Sequence, residues 1–254
     1  MANTKTILIT GAGSGIGRAI AQRISKNNYP LILLGRNQDK LEETRNSLES
    51  PEKHQCFSCD IRLPKDIANA LEKSKINSLY ALIANAGIGG ENRYLSSDRW
   101  NEIIDTNLTG TYNTIQGSLP YLKKNKAPYK KIIILASVLA RLGVPGYSAY
   151  CASKAGLLGL NRSLAIELAP EKILINALCP GWVDTEMAQE GLQTFSKALN
   201  TSKEKAFELA MNGVPLRKMS EPDEIAQFTS FLISDAQSSI TGQTLDINNG
   251  AMMP

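Results

Sequence analysis

The chain of 254 residues has a single histidine, His54, and that scarcity argues against two classes of chemistry at once. A Ser/His/Asp hydrolase would have to recruit this one imidazole into its triad, and a zinc enzyme ordinarily takes several. His54 stands in the polar segment PEKHQ and is expected on a surface loop. Cysteine is scarce too: four in a chain this long do not make a disulfide framework. Cys56 and Cys59 have CxxC spacing but lie in a strand-like segment instead of opening a helix. Buried free thiols are expected there, and no metal.

An excess of one charge is also missing. The 28 basic and 24 acidic residues leave a formal +4 spread along the chain, so no nucleic-acid partner is implied. The densest basic cluster, Lys123, Lys124, Lys126, Lys130 and Lys131, reads as a solvated helix end that can also attract an acidic partner. No apolar stretch approaches the roughly 18 residues of a membrane span, and the run in MANTKTILIT is too short for a signal peptide. The cytoplasm is therefore the expected location, with no membrane partner. No Pro/Gly/Ser-rich linker, fixed-period repeat or low-complexity tract divides the chain, and 43% apolar residues suit one full core. One domain over residues 1–254 is expected.

What is present is a rhythm. Short apolar runs at Thr6 to Ile9, Leu31 to Leu34, Gln55 to Cys59, Tyr80 to Ala84, Lys131 to Ala136, Ile173 to Leu178 and Leu245 to Ile247 alternate with helical spacing. Ile16, Ile20 and Ile24 fall on one helical face, and a long helix is expected from Tyr150 to Ala169. Such an α/β alternation predicts a seven-stranded parallel sheet, doubly wound in the Rossmann manner, with function gathered beyond the carboxyl ends of the strands. Gly181 to Leu216 breaks the rhythm and is expected to be a helical lid before a helix near Pro222.

The first strand runs straight into Gly11, Ala12, Gly13, Ser14, Gly15, Ile16 and Gly17, and a helix follows. Glycines there let backbone approach a diphosphate, and the helix start adds unpaired N–H groups and the positive end of a dipole. After the second strand, where NAD enzymes place a carboxylate against the ribose hydroxyls, the chain has Gly35 and then Arg36. A guanidinium suits a 2′-phosphate, so NADP is expected, with NAD possible.

Tyr150 and Lys154 lie one helical turn apart, which places an ammonium where it favours ionisation of the phenol. Ser137, at the end of the fifth strand, can hydrogen-bond the oxygen on which charge develops. Taken singly these are an ordinary tyrosine, a surface lysine and a strand-end hydroxyl; in order after a glycine turn they point to hydride transfer with Tyr150 as acid/base.

The TGxxxGIG pattern of Thr10 to Gly17, together with YCASK at Tyr150 to Lys154, resembles the short-chain dehydrogenase/reductase family, and the resemblance runs along nearly the whole chain. It implies that Asp60 and Ile61 contact the adenine and that Asn85, Ala86 and Gly87 border the cofactor. The family usually has a second Asn where Ala84 stands. The resemblance makes Asn107 a fourth catalytic residue that holds a water leading to Lys154. It makes Pro180, Gly181, Val183 and Thr185 contacts to the nicotinamide and phosphates. A homotetramer is its commonest assembly, with the ITGQTLDINNG segment against a partner.

Through DRWNEIIDTNLTG and PDEIAQFTSFLISD the chain looks most like the 3-oxoacyl reductases, which implies a 3-oxoacyl thioester on an acyl carrier protein or CoA. Tyr147 replaces the Gln common three residues before the tyrosine of those enzymes and is a candidate substrate contact. Relatives acting on 3-hydroxybutyrate or ring ketones, some with NAD, share the chemistry. A non-catalytic NADP-binding sensor is the alternative of another class.

Overall fold

The structure is a computed structural model, and it describes residues 5–92 and 98–253. The expectation about a leader, resting on the first ten residues, falls partly outside them. Seven strands form one parallel sheet: β1 (Ile7–Thr10), β2 (Leu31–Gly35), β3 (Gln55–Ser58), β4 (Ala81–Ala84), β5 (Lys130–Leu135), β6 (Ile173–Pro180) and β7 (Thr244–Ile247), in the order β3-β2-β1-β4-β5-β6-β7. The helices are α1 (Gly15–Ser25), α2 (Gln38–Asn46), α3 (Pro64–Lys73), α4 (Trp100–Ile104), α5 (Gly110–Lys124), α6 (Ser148–Leu168), α7 (Glu186–Ala198), α8 (Lys203–Asn212) and α9 (Pro222–Ile233).

Alternation along each strand builds two cores. Leu8, Ile32, Leu34, Leu82, Ile132 and Ile134 face α3, α5 and α6, while Ile7, Ile9, Leu33, Ile83, Ile133 and Leu135 face α1, α2 and α9. Burial on both faces is why these strands read as continuous apolar runs. The order reverses at β1, which pairs with β2 on one side and β4 on the other, so the crevice opens beyond Thr10 and Ala84. No described helix is long and apolar enough to cross a membrane.

Two expectations are corrected. Lys130 and Lys131 do not belong to a solvated helix end: they open β5, where Lys130 is 6% and Lys131 2% exposed. Lys130 Nζ donates to the Glu171 carbonyl at 2.8 Å, and Lys131 Nζ to that of Gln237. Lys123 pairs with Glu171, so this charge is largely committed within the fold. His54 is not on the surface but 4% exposed. Its Nδ1 accepts from the Leu31 amide at 3.1 Å and its Nε2 donates to the Glu49 carbonyl at 2.9 Å. The first amide of β2 needs an acceptor, and the neutral imidazole supplies it.

Burial holds the His54 pKa below its ordinary value of 6.5. A depressed imidazole pKa stabilises the fold fully above the unfolded value and loses that contribution as pH falls through the folded one. The resistance of the wild type to urea should therefore fall as the pH drops below about 6.5. In His54→Gln, which has no imidazole to titrate, this part of the pH dependence should be missing; an identical profile in both proteins would refute the assignment.

Candidate active site

The glycine turn at the switch point leaves no space for side chains. Gly11 has φ +64° and Gly15 φ +49°, and a Cβ on Gly17 would lie 2.2 Å from the Gly11 carbonyl oxygen. No side chain caps the start of α1, and its first turn holds no acid. Ala12 is fully buried and Ile16 packs on the core, so both support the turn from beneath. Thr10 Oγ1 accepts from the Asn85 and Ala86 amides, each at 3.0 Å. Asn85 Nδ2 donates to the carbonyls of Thr10 at 2.9 Å and Gly11 at 3.2 Å, so its amide fastens the end of β4 to the turn. From the outside Arg18 donates to the Gly13 carbonyl at 2.6 Å and Thr44 Oγ1 to that of Ala12 at 3.0 Å. These two supports lie outside the glycine motif, and the sequence reading missed them.

Beyond β2, Arg36 is exposed, and its guanidinium makes no hydrogen bond or ion pair among the described residues. Asp60 is engaged locally: Arg62 meets its carboxylate through Nη2 at 2.5 Å and Nε at 3.0 Å and holds its pKa below the usual carboxylate range. Ile61 is buried against α5 at Gly110.

The other cluster forms where α6 crosses the end of β5. The Ser137 hydroxyl lies near enough to Tyr150 to draw the phenol's pKa down, and Lys154 Nζ lies 5.6 Å from the Tyr150 ring centroid. Lys154 Nζ donates to the carbonyl of Leu135, the last residue of β5, at 2.8 Å. Ser137 Oγ also accepts from the Leu139 amide at 3.1 Å. A Cβ on Gly87 would stand 3.1 Å from Asn107 Oδ1 and 3.5 Å from Lys154 Nζ, so Gly87, Asn107 and Lys154 meet. Asn107 is fully buried in a π-helical segment, Asp105–Thr109, that joins α4 to α5. Its Oδ1 accepts from the Ile88 amide at 2.8 Å, and its Nδ2 donates to the Ile88 carbonyl at 3.0 Å and to Ser153 Oγ at 3.1 Å. Both amide hydrogens are thus taken.

Sequence reasoning missed two more residues here. Ser153 Oγ donates back to the Tyr150 carbonyl at 2.8 Å, which links α6 to the π-helical segment. Asn92 Oδ1 accepts from the Ala149 amide at 2.9 Å and from Ser148 Oγ at 3.1 Å, capping α6 from another loop, since Tyr147 at the cap position supplies no bond. Ser153 lies inside the YCASK motif, but its partner Asn107 is 46 residues away, and Asn92 is over fifty residues from the helix it caps, so neither link is visible locally. Tyr147 is half-buried, and burial raises its pKa.

The electrostatics differ from the expectation of an acidified phenol. Burial pushes Tyr150 up to about 12, against a downward pull from the Ser137 hydrogen bond. Burial likewise pushes Lys154 down to about 8. The ammonium is anchored to the Leu135 carbonyl and faces the ring, and desolvation is the largest influence on both groups.

After β6, which ends at Pro180, the Gly181 amide donates to the Ile247 carbonyl at 3.1 Å, and a Cβ on Gly181 would sit 3.0 Å from Asn248 Cα. Val183 is 5% exposed and packs into the core face of α1 and α9. Thr185 caps α7 by accepting from the Ala188 amide at 3.3 Å, and its methyl would stand 3.2 Å from a Cβ on Gly15. The start of α7 therefore lies against the glycine turn.

Comparison with known proteins gives the same picture. A family model described as enoyl-(acyl carrier protein) reductase matches residues 11–252. The chain is 34% identical over 251 residues to the 3-oxoacyl-(acyl-carrier-protein) reductase FabG of Rickettsia felis, covering 98% of this chain and 97% of that one. It is 33% identical over 260 residues to the Staphylococcus aureus protein of the same name, covering 100% of both. Among solved structures, a variant of the actinorhodin polyketide ketoreductase with NADPH superposes with TM-score 0.92 at 29% identity over 99% of this chain and 98% of that one. Levodione reductase superposes with TM-score 0.88 at 26% identity, over 97% and 96%. The chain belongs to the short-chain dehydrogenase/reductase family and is an oxidoreductase.

Proposed function

We propose that this protein reduces a 3-oxoacyl thioester to the alcohol with NADPH, and that Tyr150 is the proton donor. The observation that carries the reading is the Ser137, Tyr150 and Lys154 cluster, closed around one phenol at the end of β5 and adjoining a glycine turn that would clash with any side chain. The turn suits a dinucleotide: it has the close backbone approach, the start of α1 with no side-chain cap and no acid in its first turn, and an exposed Arg36 with no ion-pair partner among the described residues beyond β2. The substrate class is supported by 33–34% identity over almost the whole chain to proteins named 3-oxoacyl reductases.

A bound nicotinamide supplies the hydride. Tyr150, with its pKa at about 12, holds its proton at neutral pH and gives it to the ketone oxygen as that oxygen gains charge. Ser137 orients the same oxygen by hydrogen bonding, and Lys154 stabilises the phenolate left behind. Asn107 keeps the neighbourhood of Lys154 and Gly87 in register, and the water it would hold toward Lys154 must use Oδ1, whose second lone pair is uncommitted. Residues 181–216, with α7 and α8, close the site as a lid within the same folded unit. An acyl carrier protein would reach the site from the carboxyl ends of the strands, because Lys130 lies at the opposite end of β5, roughly 20 Å from Ser137 at the rise of a strand.

Tyr150→Phe should lower kcat by roughly 10²- to 10⁴-fold while the NADPH dissociation constant stays within about twofold. Turnover comparable to wild type would dismiss Tyr150 as the acid. Because Lys154 sits near 8, kcat/KM for reduction should be level at lower pH and decline as pH rises through about 8, where the ammonium is lost. Lys154→Arg should move that limb upward; a limb that stays in place belongs to another group. Arg36→Ala should weaken NADPH by about 10- to 100-fold while changing NADH little, as expected for loss of a charge-assisted contact. An unchanged ratio of the two affinities would remove the NADP preference.

A further inference from the structure

One ion pair crosses the mouth of the glycine turn. Lys40 Nζ lies 3.2 Å from Glu186 Oε2, joining the first turn of α2 to the first residue of α7. The two side chains come from opposite flanks: the Lys40 Cβ would lie 3.1 Å from a Cβ on Gly13, and Thr185, next to Glu186, touches the position of a Cβ on Gly15. The pair therefore links the two flanks of the segment where α1 begins. On the far side of Glu186, Met187 would stand 3.1 Å from a Cβ on Gly89, so the start of α7 touches the rim beyond β4 as well.

The pair is weak. Its side chains are 45% and 74% exposed, and pairs of this kind contribute little to stability. A phosphate dianion offers Lys40 a stronger partner than one exposed carboxylate does. Lys40 also follows Arg36 by four residues in the chain, across the turn from β2 into α2, and the Asn37 side chain fixes its backbone by accepting from the Lys40 amide at 3.0 Å.

We propose that Lys40 is a specificity-determining residue shared between the lid and the cofactor: Glu186 holds it in the free protein, and a 2′-phosphate beside Arg36 draws it away. NADP then binds with two cations and releases the first residue of α7 from α2, whereas NAD, which has no 2′-phosphate, leaves the Lys40–Glu186 pair intact. The inference rests on the proposed use of Arg36 for a 2′-phosphate. It adds that Glu186 opposes NADP binding through its hold on Lys40.

The test is calorimetric titration of the full chain with NADP⁺ and NAD⁺, with no turnover involved, in wild type, Lys40→Met, Glu186→Gln, the double variant and Arg36→Ala. Glu186→Gln should tighten NADP⁺ by about two- to fivefold and leave NAD⁺ unchanged, the range set by an exposed pair. Lys40→Met should weaken NADP⁺ by roughly tenfold with little effect on NAD⁺. In the Lys40→Met background, Glu186→Gln should have no further effect. The proposal is overturned if Glu186→Gln shifts both cofactors alike, or if its effect persists without Lys40. Arg36→Ala separates the two claims: discrimination lost with Arg36 but untouched by Lys40→Met sinks this inference alone, while an inert Arg36→Ala sinks the NADP reading beneath it.

Discussion

A buried ammonium tied to the last carbonyl of a central strand sets the geometry of the whole site. Lys154, 5% exposed, donates to Leu135 at 2.8 Å, and that bond joins α6 to β5 where the strand gives way to Ser137. Taking an ammonium out of water is costly, so the chain surrounds it with compensating geometry: a carbonyl as acceptor, the face of the Tyr150 ring at 5.6 Å, and Gly87, whose missing side chain leaves room beside it. Because Tyr150 is one turn earlier on the same helix, fixing Lys154 also fixes the phenol against Ser137.

The rest of the neighbourhood holds α6 in that position. Asn92 caps its first turn, Ser153 connects it to Asn107, and Asn107 in turn holds the Ile88 backbone just after Gly87. The π-helical segment that carries Asn107 belongs to the same constraint, since the extra residue in the turn accompanies a side chain aimed at Ile88 and Ser153 together. The glycine turn is secured separately, by Asn85 and Thr10 from within and by Arg18 and Thr44 from outside. Two independently braced units thus face each other across the switch point, and the start of α7 spans them through Thr185 and Met187.

How much of this could be read from the sequence follows from the range of each signal. All seven strands lie within a residue or two of their expected places, because apolar periodicity and turn residues are local. The motif residues fall together for the same reason: a glycine turn and a Tyr/Lys spacing are patterns of a few positions. His54 was misplaced because its polar neighbours in sequence do not reveal that the β2 amide at Leu31 needs an acceptor. Lys130 and Lys131 were misplaced because they follow a helix-end lysine run while belonging to the next strand, where the Glu171 and Gln237 carbonyls receive them. Asp60 lies at its expected position after β3, but its carboxylate is engaged by Arg62, two residues on, a pairing that position alone does not reveal.

The direction of the electrostatics adds a point that no motif contains. A YxxxK pair suggests an amine that acidifies a phenol, but here burial moves the two pKa values apart, the phenol up to about 12 and the amine down to about 8. Both shifts come from the same dry pocket. In the role proposed for Tyr150, a phenol that keeps its proton at neutral pH has one to donate, and an amine that becomes neutral just above physiological pH responds to the negative charge that donation would create beside it. In the proposed reaction, loss of the Tyr150 proton would place a negative charge beside Lys154 and strengthen the reason for the ammonium to stay charged. The separation of the two values arises from desolvation acting on two groups of opposite charge type one helical turn apart.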